Sequence, residues 1–245
     1  MHHTPALVVG TSVAAYGALQ VLGRMAGSTA EERRARLPGD DLVPDPQMVT
    51  DHGIRIHAPA REIWPWLTQL GWHLGGWYTP GWVDRFLFPD NWSSLDRLDP
   101  RLVRTLQVAD TLPDGPPGTA EYVVDRVQPP HLLVLRSTTH LPPGWAEKYD
   151  ARITWTWTLS LRSAGHGSTR VHLRVRGHMS PRWFAVLYVA TIVPADYVMA
   201  TGMLRGLKRR AEAGLPPQVS GRQPLLSTPG PGAHAPPTIH THTTR

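Results

Sequence analysis

The residues best suited to moving a proton are Tyr78, Asp84, His140, Glu147 and Tyr149, all set among apolar and aromatic neighbours. Such groups beside an apolar cavity fit general acid–base work on an enolisable ligand, because burial moves a carboxyl or phenol away from its solution behaviour. Asp84 comes two residues after Trp82, which either sets it at a cavity rim or lets it pair with an arginine or cap the next turn. His140 precedes Pro142-Pro143-Gly144 and also reads as a strand-end residue facing water. Asp84, His140 and Tyr78 are the candidate catalytic residues, and no familiar motif accompanies them. The chain lacks HExxH, GxSxG, a Walker loop and a GxGxxG between strand and helix. Zero cysteine excludes disulfides, thiolate zinc sites, iron–sulfur clusters and cysteine nucleophiles. His57, His73, His131 and His140 show no ligand spacing, so no metal and no cofactor is expected.

Aromatic residues give the stronger signal. Six of the ten tryptophans lie between Trp64 and Trp92, interleaved with Tyr78, Phe86 and Phe88. Each large aromatic buries about 150–250 Å² and keeps one polar tip. A pocket lined this way suits a flat or extended apolar molecule with few polar groups. The expected ligand-binding residues are Trp77, Tyr78, Trp82, Trp155, Trp157, Met199 and Met203, although any one tryptophan can equally be core.

These residues need elements to hold them. Residues 48–57 read as a strand with Ile54 and Ile56 on one face, and a short helix over 60–71 ends at Gly71. A tryptophan-rich loop over 72–92 and a brief helix near 99–106 follow. Four strands are then expected over 120–127, 132–137, 153–161 and 169–177. In the third, Ile153, Trp155, Trp157, Leu159 and Leu161 oppose Thr154, Thr156, Thr158 and Ser160. In the fourth, Val171, Leu173 and Val175 oppose Arg170, His172, Arg174 and Arg176. That pattern predicts an antiparallel sheet with one apolar and one solvated face, the arginine stripe being the wet side. A closing helix over 196–213 carries Val198, Met199, Met203, Leu204, Leu207 and Ala211 as one stripe.

The 245 residues carry a formal charge of +6, almost all of the basic residues being arginine. The basic groups are scattered rather than gathered on one face, so nucleic acid is not an expected partner. A mean hydropathy of −0.26 argues against a polytopic membrane protein. Residues 1–28 form an apolar N-terminal segment with no charge from 5 to 23. At about 1.5 Å per residue that run approaches a bilayer span, and a surface-packed helix is the competing reading. Arginines follow it, so a spanning segment would leave the main domain in the cytoplasm. Residues 29–46 read as a linker, 47–214 as the folded domain and 215–245, with seven prolines and no acid, as a disordered tail. The thirteen uncharged residues 183–195 are too short to span, and burial is the favoured reading over a cavity cover or an interfacial membrane contact.

Several stretches in this order look familiar. Leu37-Pro38-Gly39-Asp40-Asp41-Leu42-Val43-Pro44 precedes the first strand; Ile63-Trp64-Pro65-Trp66-Leu67, Gln69-Leu70-Gly71, Gly76-Trp77-Tyr78 and Trp82-Val83-Asp84 follow it. Met203-Leu204-Arg205-Gly206-Leu207-Lys208-Arg209-Arg210-Ala211-Glu212 stands near the end. Together, over about residues 37–214, they resemble a bacterial branch of the SRPBCC superfamily, which includes START-like lipid-binding, pollen-allergen-like and polyketide cyclase-like proteins. Val108-Ala109-Asp110 departs from that branch, which usually has glycine before the aspartate. The resemblance implies an α+β helix-grip fold: a curved antiparallel sheet wrapped around a long C-terminal helix, with an apolar cavity between them.

A shared fold does not fix a chemistry. Binding or carriage of a hydrophobic lipid-like or polyketide-like molecule is the first expectation, and a polyketide cyclase or dehydratase using a cavity acid or base is the alternative. A His–carboxylate or Tyr–carboxylate pair inside the cavity would favour the enzyme; polarity confined to the mouth would favour the carrier. The expected partners are a hydrophobic small molecule and a membrane surface, in a cytoplasmic protein held through its N-terminal segment. Ligand identity and oligomeric state are not encoded legibly.

Overall fold

The computed structural model describes residues 4–87 and 89–214, excepting the side chains of 4–10 and 87. Phe88 and the tail expected over 215–245 lie outside the described residues. In chain order the elements are α1 (Thr4–Met25), α2 (Ala30–Arg34), β1 (Met48–Ile56), α3 (Ala60–Thr68), α4 (Gly81–Leu87), β2 (Thr111–Pro113), β3 (Glu121–Gln128), β4 (Leu132–Ser137), α5 (Trp145–Tyr149), β5 (Arg152–Ser163), β6 (Thr169–Ser180) and α6 (Arg182–Ala213). The fold is α+β. Six strands form one sheet in the order β1-β6-β5-β4-β3-β2, every neighbouring pair antiparallel, and α6 lies across it in the helix-grip manner. The helix expected near 99–106 is a turn instead, closed by the Leu102 and Val103 N–H groups donating to the Asp99 carbonyl.

The inner face behaves as the alternation predicts. Leu133, Leu135, Leu159, Leu161, Val171, Leu173 and Val175 are buried against α3 and α6. At about 25 cal/mol per Å² of apolar surface, this layer supplies most of the drive for folding.

The outer face does not. Arg174 is only 3% exposed, and Thr156, Thr158 and His172 are buried too. The expected linker, 29–46, is what covers them, folding back over β5 and β6. Leu37 and Val43 pack beneath it, and Thr158 donates to the Pro38 carbonyl at 3.0 Å. Arg174 reaches the Glu32, Arg33 and Ala35 carbonyls at 2.7–3.1 Å, so a strand residue caps the C-terminus of α2. Its other bonds go to Asp40 and Asp51, and Asp51 also holds His172 at 2.7 Å. Arg170 pairs with Glu32, and Arg176 donates to the Val43 carbonyl. The alternation was real, but it marked a second, polar interior rather than a wet surface.

The expected helix over 196–213 and the apolar run 183–195 are one 32-residue helix with Pro194 inside it. Proline cannot donate to the carbonyl four residues back, here that of Ala190. Tyr16 and Gln20 of α1 donate to that carbonyl instead, at 2.8 and 3.2 Å. Close packing at Gly23, where any Cβ would strike the Val193 backbone, completes the seat. Only one side of 183–195 is buried, through Phe184, Ala185 and Val193; Trp183, Val186 and Leu187 face outward. Burial is therefore half right for this run.

Candidate functional site

A cavity of about 270 Å³ lies between the sheet and the middle of α6. Trp155 and Trp157 enter from β5, Tyr122 from β3, and Tyr188, Asp196, Met199 and Met203 from α6. Trp77 arrives from the loop after α3. That loop approaches α6 closely, because Gly202 and Gly206 leave room where a Cβ would strike Pro80 and the Tyr78 carbonyl. The rings form a connected wall: Trp77–Trp157 at 5.5 Å, Tyr122–Trp157 at 5.3 Å and Trp155–Tyr188 at 5.5 Å between centroids. The Trp157 Nε1 is buried without a hydrogen-bond partner, while the Trp77 and Trp155 indoles face the Asp114 carboxyl and the Tyr122 hydroxyl. A donor left unpaired costs about 1–3 kcal/mol and is ready for an acceptor.

Polar groups are not confined to one edge. His140 places Nε2 at 2.8 Å from Asp114 Oδ2, and its Nδ1 lies 2.7 Å from the Ser137 hydroxyl. Its ring packs 4.6 Å from Tyr122 and stacks on Trp155 at 6.4 Å. Burial pushes the Asp114 carboxyl up, against the opposing pull of His140. Burial, then the nearby carboxylates of Asp114 and Asp196, holds the Tyr122 phenol well above its ordinary value, so it remains a donor. Farther along, Asp196 Oδ2 takes the Thr50 hydroxyl at 2.6 Å and His52 Nε2 at 2.8 Å. The cavity thus combines an apolar slot, indole N–H donors, a protonated phenol, the His140–Asp114 pair and the Asp196 carboxyl.

The expected site residues divide between this cavity and elsewhere. Trp77, Trp155, Trp157, Met199, Met203 and His140 line it. Tyr78 does not; its hydroxyl donates to the Trp66 carbonyl at 2.7 Å, and its ring sits edge-on to Trp66 and under the Arg210 guanidinium. Those contacts make Tyr78 a core residue, and burial raises its phenol further. Asp84 accepts from the Thr79 hydroxyl in the first turn of α4 and does not line the cavity. Trp82 is 58% exposed on the outside of α4. Glu147 and Tyr149 are exposed on α5. His140 lines the cavity with both ring nitrogens engaged, by Ser137 and Asp114.

Sequence reasoning missed Asp114, Tyr122, Tyr188 and Asp196. Tyr122 carried a usable signal, its alternation with Val124 in β3. Asp114, followed by Gly115-Pro116-Pro117-Gly118, reads as an ordinary turn aspartate, and only the fold reveals its burial.

No protein-family profile matches the chain, and no curated protein matches it. Solved structures with a similar fold include norcoclaurine synthase from Thalictrum flavum in complex with dopamine and hydroxybenzaldehyde, 13% identical with a TM-score of 0.39 over 69% of this chain and 88% of that one. CalU16 from Micromonospora echinospora is 17% identical, with a TM-score of 0.31 over 67% and 84%. The hypothetical protein jhp0584 from Helicobacter pylori is 11% identical, with a TM-score of 0.42 over 72% and 95%. Each is a likeness of fold at low identity.

Proposed function

We propose that this chain binds a flat hydrophobic molecule of polyketide-like or lipid-like chemistry in the cavity and moves a proton on it, as a cyclase or dehydratase does. The observation that carries the reading is the half-buried Asp114–His140 pair opening onto an aromatic slot. Asp114 Oδ2 is held by His140, and the carboxyl, which also faces the Trp77 indole, offers Oδ1 to the ligand. In the proposed step Oδ1 takes a proton from a carbon beside a ligand carbonyl. The C–H electron pair moves into the new C=C bond, and the carbonyl π pair moves onto oxygen. The Tyr122 hydroxyl and an orphan indole N–H are the available donors to that oxygen, and reprotonation at carbon reverses the sequence. A carboxyl raised by burial is the stronger base for this work once ionised, and general acid–base assistance contributes about 10²–10⁴-fold. His140 is a positioning residue, fixing the carboxyl through Nε2 while Ser137 fixes its ring.

Carriage without chemistry is the second reading, favoured by the largely apolar lining. The probe 2-tetralone, a flat ketone with exchangeable α-hydrogens, separates the two. Quenching of tryptophan fluorescence reports its binding, and deuterium uptake from heavy water reports proton transfer. The proposal expects both in the wild type, and binding without accelerated uptake in Asp114→Asn. Binding without uptake in the wild type leaves a carrier; no binding of tetralone, with no molecule retained in native mass spectrometry, removes the cavity reading.

A further inference from the structure

We infer that α1 and the outward side of the first half of α6 form a docking surface for a lipid bilayer. The inference starts from α1, which carries no charge from residue 5 to residue 23 and is exposed along nearly all its described length. Val13 is 66% and Val21 52% exposed, with Leu19 and Leu22 also outward. At roughly 100° per residue these four point in directions spread over about two thirds of the helix circumference, and the remaining side is the one seated on α6 through Tyr16, Gln20 and Gly23. A broad apolar surface of this kind belongs in a core or in lipid. A protein groove or a second copy of the chain would cover one further side; lipid covers all that remains exposed.

A second surface adjoins it. Val186 is 71% exposed, Leu187 47% and Trp183 48%, on the part of α6 where α1 is seated. Among the described residues α6 is the one helix long and apolar enough to cross a membrane, and the 18-residue window that qualifies it is mostly unburied. Its C-terminal half grips the sheet through Met203, Leu204 and Leu207, so it cannot leave the domain to do so. Trp145, Tyr149 and Trp183 cluster at its start with centroids 5.4–5.8 Å apart, beside Arg182 and Lys148, while Arg152 there is paired with Asp150 and Glu147 is exposed on α5. Aromatic rings with arginine and lysine at the edge of an apolar surface match the chemistry of the headgroup layer. No acidic side chain occurs in 4–25 or 182–195, which suits an anionic leaflet.

Tyr16, Gln20 and Gly23 tie α1 to Ala190 and Val193, so the helix is anchored to the domain through its second half and residues 4–15 run on beyond that seat. From the surface, ring contacts then run inward, Trp183 to Phe184 at 6.2 Å, Phe184 to Tyr188 at 5.3 Å and Tyr188 to Trp155 in the cavity wall. If the cavity takes a hydrophobic ligand, as proposed above, this is the dry path to it from the bilayer; the docking itself does not depend on that reading.

Flotation of the full chain with phosphatidylcholine vesicles, with and without phosphatidylglycerol, tests the inference. The wild type should float, more strongly with the anionic lipid. Val13→Asp combined with Val21→Asp should lower vesicle partitioning at least tenfold. Val186→Asp with Leu187→Asp should lower it severalfold. All four positions are exposed, so both double variants should keep the wild-type circular dichroism and tetralone quenching. A wild type that floats with neither vesicle, or variants that float equally well, would overturn the inference. So would a dimer in sedimentation that Val13→Asp and Val21→Asp dissolve while no vesicle is bound.

Discussion

The two faces of the sheet carry the same chemistry to different ends. Each has a histidine on an aspartate: half-buried His140 on Asp114 inside, buried His172 on Asp51 outside. On the outer face every strong donor nearby is used, because Arg174 joins Asp51 to Asp40 and to three carbonyls of the covering segment. On the inner face the Trp157 indole N–H lacks an acceptor and empty space adjoins the carboxyl. A His–Asp pair is therefore not a site by composition. It becomes one where the surroundings leave hydrogen-bonding capacity and room unspent.

Breaking the outer face should have the largest effect. Arg174→Leu strands Asp51 and Asp40 in a buried setting, and losing one partner of such a cluster costs about 3–5 kcal/mol. Urea unfolding should show that loss. A loss under about 1 kcal/mol would mean that the face is wet after all.

Glu32, which binds Arg170 on the same face, gives a pH signature. Burial pushes its carboxyl up, but the Arg170 bond and charge and the Thr29 N–H outweigh it and bring it down to about 2. A depressed carboxyl stabilises the fold fully above its unfolded value of about 4.5, and that support is lost as pH falls through about 2. Glu32→Gln should accordingly cost about 1–3 kcal/mol near neutrality, with the gap to wild type closing over that acid window. A gap independent of pH would contradict the ion pair.

The inner face should respond the opposite way. Because burial raises the Asp114 carboxyl, the fold disfavours its charged form, and the wild type loses stability as pH rises past the unfolded carboxyl value near 4. Asp114→Asn keeps the shape and an acceptor oxygen while removing that cost, so its melting temperature near neutrality should equal or exceed that of the wild type. A melting temperature several degrees lower would make Asp114 structural, like Asp51. The smallest effect belongs to the seat of α1. Tyr16→Phe should cost about 1 kcal/mol or less and raise amide exchange in α1, since Gln20 still serves the Ala190 carbonyl.

Much of the fold could be read from periodicity, because β5 and β6 alternate and the helix ends carry ordinary signals. The outer cover could not. Alternating Arg, His and Thr look the same whether they face water or a segment of carbonyls folded over them. The unity of α6 was hidden for a related reason, since Pro194 reads as an interruption unless α1 is known to serve the carbonyl it frees. Cavity aromatics declared themselves by number, and Trp77, Trp155, Trp157, Met199 and Met203 line the cavity. Asp114 did not declare itself, because a turn aspartate acquires meaning only from what the tertiary structure stacks around it.

The most direct measurement is deuterium uptake into 2-tetralone by His140→Gln and His172→Gln at matched folded concentration. The account predicts a fall toward the solvent rate for His140→Gln with tetralone quenching retained, and wild-type uptake per folded molecule for His172→Gln. Equal losses in the two variants, or no loss in His140→Gln, would contradict it.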